Sequence, residues 1–316
     1  MLIGMVGLLV VSGMAQPAAA QPAEGSSEGV TVARFDGATA VALDPKGRIY
    51  VADARRSAVV MLAPDGTVTQ TFGGAGTRPG QFDAPADLDP TNGLTVWIAD
   101  AGNGRLQHLS QDGQFLEALP VGEAGNGSAR RQPVYDASRS ADAPMADGEP
   151  IAVATTSANE PITIDARRAV VMKWDAQRRP ETIVGGFGGG RGALRDPVDL
   201  ALDRDRLYVA DRERAAILVY DQFGTYDRTL PLSPDAELDD VRALQVVDGW
   251  LWMACGRQVV RSRIDADAET VVATTAEPIV DLAVGPSDLY VLTDSRLLRL
   301  PEIGRASCRE RVFPVV

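Results

Sequence analysis

Apolar residues run along this chain in blocks of about five or six, each closed by a turn rich in Asp, Gly or Arg. IYVAD is followed by ARRS and then AVVML, TVWIAD by AGNG and then RLQHLS, and RLYVAD by RER and then AAILVY. Blocks this short, with Val, Ile and Tyr prominent, predict strands rather than helices. They are apolar continuously instead of alternately, which predicts strands covered on both faces. Alignment of the blocks gives a unit of four strands, VALD, RIYVAD, AVVML and TVTQTFGG in its first copy, joined by polar turns. Six copies can be traced. The position closing the second strand falls at Asp53, Asp100, Asp165, Asp211, Cys255 and Asp294, so most steps are about 40–47 residues. The step from Asp100 to Asp165 is longer by roughly twenty residues, in a Gly-, Ser-, Ala- and Pro-rich stretch that reads as a surface excursion.

A single four-stranded sheet has two apolar faces and nothing to bury them against, whereas a ring of such sheets covers both faces of each one. The expected fold is therefore all-β: a six-bladed β-propeller of four-stranded antiparallel blades. The sixth copy has three strands before Pro301, and GVTVARFDG near the start resembles the fourth strand TVTQTFGGA. Residues Gly29 to Phe35 are expected to complete blade six and close the ring.

The pieces VALDPKGRIYVAD, ADAGNGRLQ, GQFDAP (Gly80 to Pro85) and LALDRDRLYVAD resemble the NHL-repeat family of six-bladed propellers. The resemblance covers about residues 30–301, with the first, second and fourth copies carrying the motif and the others recognised by spacing. The family's Asn-x-Arg signature survives as Asn103 and Arg105. What the resemblance implies is the six-bladed fold. Peptide-amidating lyases of this fold use several histidines on zinc, and this chain has one, His108, expected as a surface residue of a third strand.

Composition changes this picture at the ends. Hydrophobic residues make up 45% and aromatics 5%, enough for a core of Val, Leu, Ala and Ile. The apolar run Leu2–Val11, followed by Ala18-Ala19-Ala20, reads as a signal peptide over residues 1–20, with 21–29 as linker and the propeller over 30–301. Secretion or periplasmic export is the corresponding expectation, with no membrane span. EIGRASCRERV, from Glu302 to Val312, matches the in-frame translation of a common sequencing adapter, so residues 302–316 are read as non-native. Cys255 is then the one native cysteine, without a disulfide partner.

Charge supplies the candidate chemistry. The net charge of −12 argues against a nucleic-acid partner. Propeller geometry puts the turns between second and third strands on one face, and those turns carry Arg55, Arg56, Arg105, Arg167, Arg168, Arg212, Arg214 and Arg257. The opposite turns carry Asp44, Asp65, Asp203, Asp205 and Asp248 among others. One face should be basic, suited to a protein, a peptide or an anionic glycan through bidentate guanidinium contacts. The plainer reading is that these arginines pair within the blade. A second constellation is Asp87, Asp199 and Asp281, each opening the Asp-Leu first strand of an alternate blade. Three carboxylates aimed at the channel either hold a hard cation such as Ca²⁺, raise one another's pKa, or accept backbone hydrogen bonds. The function expected is an exported non-catalytic binding scaffold, with a metal-dependent hydrolase or lyase as the alternative.

Overall fold

The computed structural model describes residues 29–122, 147–185, 190–232, 240–265 and 269–301. The candidate signal peptide and the 302–316 tail lie outside these residues, as do most of the blade-two-to-three excursion and Asp267.

Strand β1 (Val30–Arg34) is followed by blade one: β2 (Ala38–Leu43), β3 (Ile49–Asp53), β4 (Ala58–Leu62) and β5 (Val68–Gly73). Blade two holds β6 (Pro85–Asp89), β7 (Thr95–Asp100), β8 (Arg105–Ser110) and β9 (Phe115–Pro120). Blade three holds β10 (Pro150–Thr155), β11 (Pro161–Asp165), β12 (Val170–Trp174) and β13 (Pro180–Val184). Blade four holds β14 (Pro197–Asp203), β15 (Arg206–Asp211), β16 (Ala216–Asp221) and β17 (Tyr226–Pro231). Blade five holds β18 (Val241–Val247), β19 (Trp250–Cys255), β20 (Gln258–Arg263) and β21 (Glu269–Thr274). Blade six contributes β22 (Ile279–Val284), β23 (Asp288–Thr293) and β24 (Arg296–Pro301), and takes β1 as its fourth strand.

The ring thus closes as the pattern predicts. β1 runs antiparallel to β24, with Val30 opposite Arg299 and Arg34 opposite Arg296. Burial follows position within the blade: every residue of β3 and of β4 is buried, while the outer β5 is largely exposed. Apolar clusters lie between blades rather than within them, as where Tyr208, Ile217 and Val219 of blade four meet Leu244, Leu251 and Met253 of blade five. This two-sided burial is what makes the blocks continuously apolar. The second strand of blade six ends at Thr293, one residue before the expected Asp294, because Ile279 pairs with Thr293 in the register that pairs Ala38 with Asp53.

Each innermost strand carries a register shift at the same place, between Ala38 and Ala40 in blade one and between Pro85 and Asp87 in blade two. The shift recurs before Ala152, Asp199, Ala243 and Asp281. A bulge re-aims the residue that follows it. Around the ring that residue alternates between Ala and Asp.

The turns into third strands end in a left-handed residue: Ser57 (φ 49°), Gly104 (φ 61°), Ala169 (φ 50°) and Ala215 (φ 46°). Only glycine adopts this backbone freely. Ala215→Gly is therefore expected to raise stability by about 0.5–1 kcal/mol, read as a higher midpoint in urea.

Candidate functional site

The central cavity, about 190 Å³, is lined by the innermost strands, including Asp87, Asp89, Asp199 and Asp281. Its lining reaches Thr91, Thr155 and Leu202, so it runs toward the turns between first and second strands. That is the face opposite the arginine-bearing turns.

Structure and sequence agree on where the trio sits, and the geometry shows what it does. Asp87 accepts from its neighbour Leu88 N at 2.7 Å and from Val153 N of blade three at 2.6 Å. Asp199 accepts from Leu200 N and from Leu244 N of blade five, both at 2.7 Å. Asp281 accepts from Leu282 N at 2.7 Å and from Val41 N of blade one at 2.6 Å. All six carboxylate oxygens are thus engaged by backbone N–H groups, and each residue ties its blade to the next. Burial pushes all three pKa values well above the usual carboxylate range, and mutual repulsion pushes further, Asp199 acting on Asp87, Asp281 on Asp199 and Asp87 on Asp281. Asp89, also buried and raised by desolvation, accepts from the Thr155 hydroxyl and from Thr91 N.

Calcium takes six to eight oxygen ligands. Among the described residues no set of three or more His, Cys, Asp or Glu side chains is arranged to hold a metal. As they stand, these residues do not fit the ion.

The arginine face differs from expectation. Arg105 is 2% exposed and acts as a tie, not as a surface ligand. Its Nε donates to Asp100 at 2.8 Å, and its two Nη atoms donate to the carbonyls of Thr77, Arg78 and Gln81. Asn103 and Gln107 donate to the same Asp100 oxygen at 2.9 and 2.8 Å, and Asp100 in turn accepts from Asp83 N. Together they pin the glycine-rich linker between blades one and two. Gly73 (φ 111°) is required there, since a Cβ would stand 2.7 Å from the Phe82 ring. The linker is a crossover held by side chains.

Five of the other arginines meet acids from the same face. Arg55 pairs with Asp36 at 2.5 Å, Arg168 with Asp147 and Asp165 at 2.6 and 2.7 Å, and Arg212 with Asp196 at 2.9 Å. Arg56 lies 3.5 Å from Asp53, and Arg167 lies 3.9 Å from Glu149. Arg214 donates to the carbonyls of Gly190 and Arg191. Arg257 is exposed and has no ion-pair partner among the described residues. Counting arginines in one turn of the repeat overlooked the acids that the blade-to-blade linkers bring to the same face. The face carries both signs and is not continuously basic.

His108 is buried, not on the surface. It stacks on Trp97 with ring centroids 4.1 Å apart, and its Nδ1 and Nε2 lie 2.9 Å from Glu117 and 2.7 Å from Thr95. Burial works to raise Glu117, but hydrogen bonds from His108 and Arg178 and their charges hold it below its ordinary value. Cys255 is buried and its thiol is pushed up to about 12, chiefly by desolvation, which leaves it an inert core group.

The fold and its repeat define a six-bladed β-propeller with NHL-like blades. No family model matches the chain. Over 89 residues, 27% of the chain, it is 29% identical to human NHL repeat-containing protein 3, and over 94 residues, 28% of the chain, 31% identical to the mouse protein. These stretches span 26% and 27% of the relatives, so the match covers about a quarter of their length. Among solved structures, a putative gluconolactonase superposes with a TM-score of 0.63 at 14% identity, covering 89% of this chain and 93% of that one. An inactive histidine-to-alanine variant of virginiamycin B lyase from Staphylococcus aureus, solved with quinupristin, superposes with a TM-score of 0.59 at 12% identity, covering 88% and 85%. At such identities the likeness concerns the fold.

Proposed function

We propose that this chain is an exported, non-catalytic propeller that binds a protein partner through the face bearing the second-to-third-strand turns. The observation that carries this reading is the state of the central carboxylates. Each of the six oxygens of Asp87, Asp199 and Asp281 accepts one backbone N–H bond, so holding its own strand and the next blade accounts for the trio without a metal or a substrate. The lyase neighbour loses activity when one histidine becomes alanine, whereas the single histidine here is stacked inside blade two. A partner surface carrying both signs fits the arginine face better than a uniformly anionic glycan does. Pairs such as Arg55–Asp36 and Arg212–Asp196 are exposed on both sides, so exchanging them for a partner's charges costs only about 0–1 kcal/mol each. The apolar run Leu2–Val11 with its following alanines supports export.

The competing reading, a metal-dependent hydrolase or lyase centred on the trio, is favoured by the enzymes among the structural neighbours. One experiment separates the two. The parent and an Asp87→Asn, Asp199→Asn, Asp281→Asn variant are melted with and without calcium and assayed on gluconolactone. Non-catalytic binding predicts no calcium-dependent rise in Tm and no hydrolysis above the uncatalysed rate. A rise or a rate present in the parent and lost in the variant overturns it.

A further inference from the structure

Blades two and five set a nitrogen-bearing side chain against a tryptophan at the same place in the sheet. Trp97 on β7 pairs across the strands with His108 on β8, and Trp252 on β19 pairs in the same way with Arg261 on β20. The outer strands differ. The residue opposite His108 is Glu117, whereas the residue opposite Arg261 is Thr270. In blade two the Glu117 carboxylate completes the group: it lies 2.9 Å from His108 Nδ1 and accepts from Arg178 Nη2 at 2.7 Å. Arg178 also stands over Trp97, its guanidinium carbon 5.2 Å from the ring centre.

Blade five has the cation and the aromatic rings without the carboxylate. The Arg261 guanidinium carbon lies 4.7 Å from the centre of the Trp250 ring and 5.8 Å from that of Trp252. Among the described residues Arg261 has no hydrogen bond and no ion pair at any nitrogen, and its Nε is buried. Arg48, Arg214, Arg296 and Arg299 also bury a nitrogen without a partner, but each donates elsewhere through the same guanidinium. Burial holds the Arg261 pKa below its ordinary value, and no carboxylate among the described residues acts to raise it. Glu269 stands opposite Ser262, which places it on the other face of the sheet. Arg263, two residues along the strand, adds a second guanidinium 5.1 Å from the Trp250 ring and lies 3.7 Å from the exposed Asp265. One positive charge is left unopposed against the tryptophans.

We propose that the Arg261 cluster binds an organic carboxylate, which takes beside Arg261 the place that Glu117 takes beside His108. A guanidinium stacked on an indole ring keeps its edge donors free for parallel bonds to a carboxylate. Trp250 and Val272, half-buried at the rim of the apolar cluster between blades five and six, offer the body of the ligand an apolar wall. Asp265 beside Arg263 repels a second negative charge, which favours a carboxylate over a phosphate. Arg261 does not line the central cavity and lies toward the other end of β20 from Arg257, so the site stands independently of the function proposed above.

The test is isothermal titration of the full chain at low salt with 1-naphthoate and with 1-naphthylmethylamine, which has the same aromatic body and the opposite charge. One saturable site is expected for the carboxylate and none for the amine. Arg261→Met should weaken binding about tenfold or more, since a charge-assisted bond is lost. Thr270→Glu supplies the missing carboxylate from the protein itself, as Glu117 does in blade two, and should abolish binding. Arg204→Gln, at an exposed arginine of blade four, should leave it unchanged. Melting curves establish that each variant is folded; Thr270 is exposed, so Thr270→Glu decides the matter if Arg261→Met does not fold. Absence of saturable binding, equal binding of the amine, or an unchanged affinity in Thr270→Glu or in folded Arg261→Met overturns the proposal.

Discussion

Arg105→Leu is expected to destabilise the protein by about 3–5 kcal/mol, the typical result of removing one partner from a buried ion pair. The substitution strands Asp100, which is fully buried and already raised by desolvation despite its hydrogen bonds. It also removes the donors that hold the carbonyls of Thr77, Arg78 and Gln81. Arg105→Lys should recover little, because a single ammonium cannot reach acceptors spread around a planar fork. Urea unfolding gives the magnitude. Hydrogen exchange locates it, since the linker from Gly74 to Asp83 should lose protection beyond the global change. A loss below about 1 kcal/mol would mean that the network is not what fixes this linker.

Asp281→Ala is expected to cost about 3 kcal/mol, because the buried N–H groups of Val41 and Leu282 both lose their acceptor. The cost should depend on pH. The folded-state pKa values of the trio are raised, so the folded protein holds more protons than the unfolded chain between the ordinary aspartate value and the folded one. Their contribution is therefore complete below the unfolded pKa and is lost as pH rises through the folded values. Tm should fall in the parent as pH rises above the ordinary aspartate range, and Asp281→Ala should flatten that fall by removing one of three repelling charges. A parent whose Tm rises steadily over that range would show that the trio is ionised in the folded state without strain.

Much of the architecture is legible in the chain because each blade meets the same packing requirement. The second-strand positions Asp53, Asp100, Asp165 and Asp211 recur since each is buried at the turn and caps it, as Asp53 does for Arg56 N. The closing strand is legible for a similar reason: VTVAR has the outer-strand pattern of VTQTFG. Side-chain partners are less legible. The Asp-Leu pairs single out Asp87, Asp199 and Asp281, but only the bulge before each shows that the carboxylate reaches the next blade's backbone. Arg55 and Arg212 find Asp36 and Asp196 in linkers, outside the repeated turn that brought the arginines to notice. His108 reads as exposed because it is a lone histidine in a strand, whereas β8 is covered on both faces and buries it against Trp97.

The alternation of Ala and Asp around the axis divides the molecule in a way that six equal blades do not suggest. Carboxylates join blade two to three, four to five and six to one, while the intervening seams have no such clasp. The intervening seams rest on apolar clusters and neutral side chains instead, Gln245 accepting from Val284 N between blades five and six and Thr39 donating to the Pro85 carbonyl between one and two. The first and last described strands, β1 and β24, pair inside blade six, and Asp281 on β22 of that blade adds a hold on Val41 N of blade one. A circular permutation opened between blades four and five would leave Asp199 still holding Leu244 N across the opened seam.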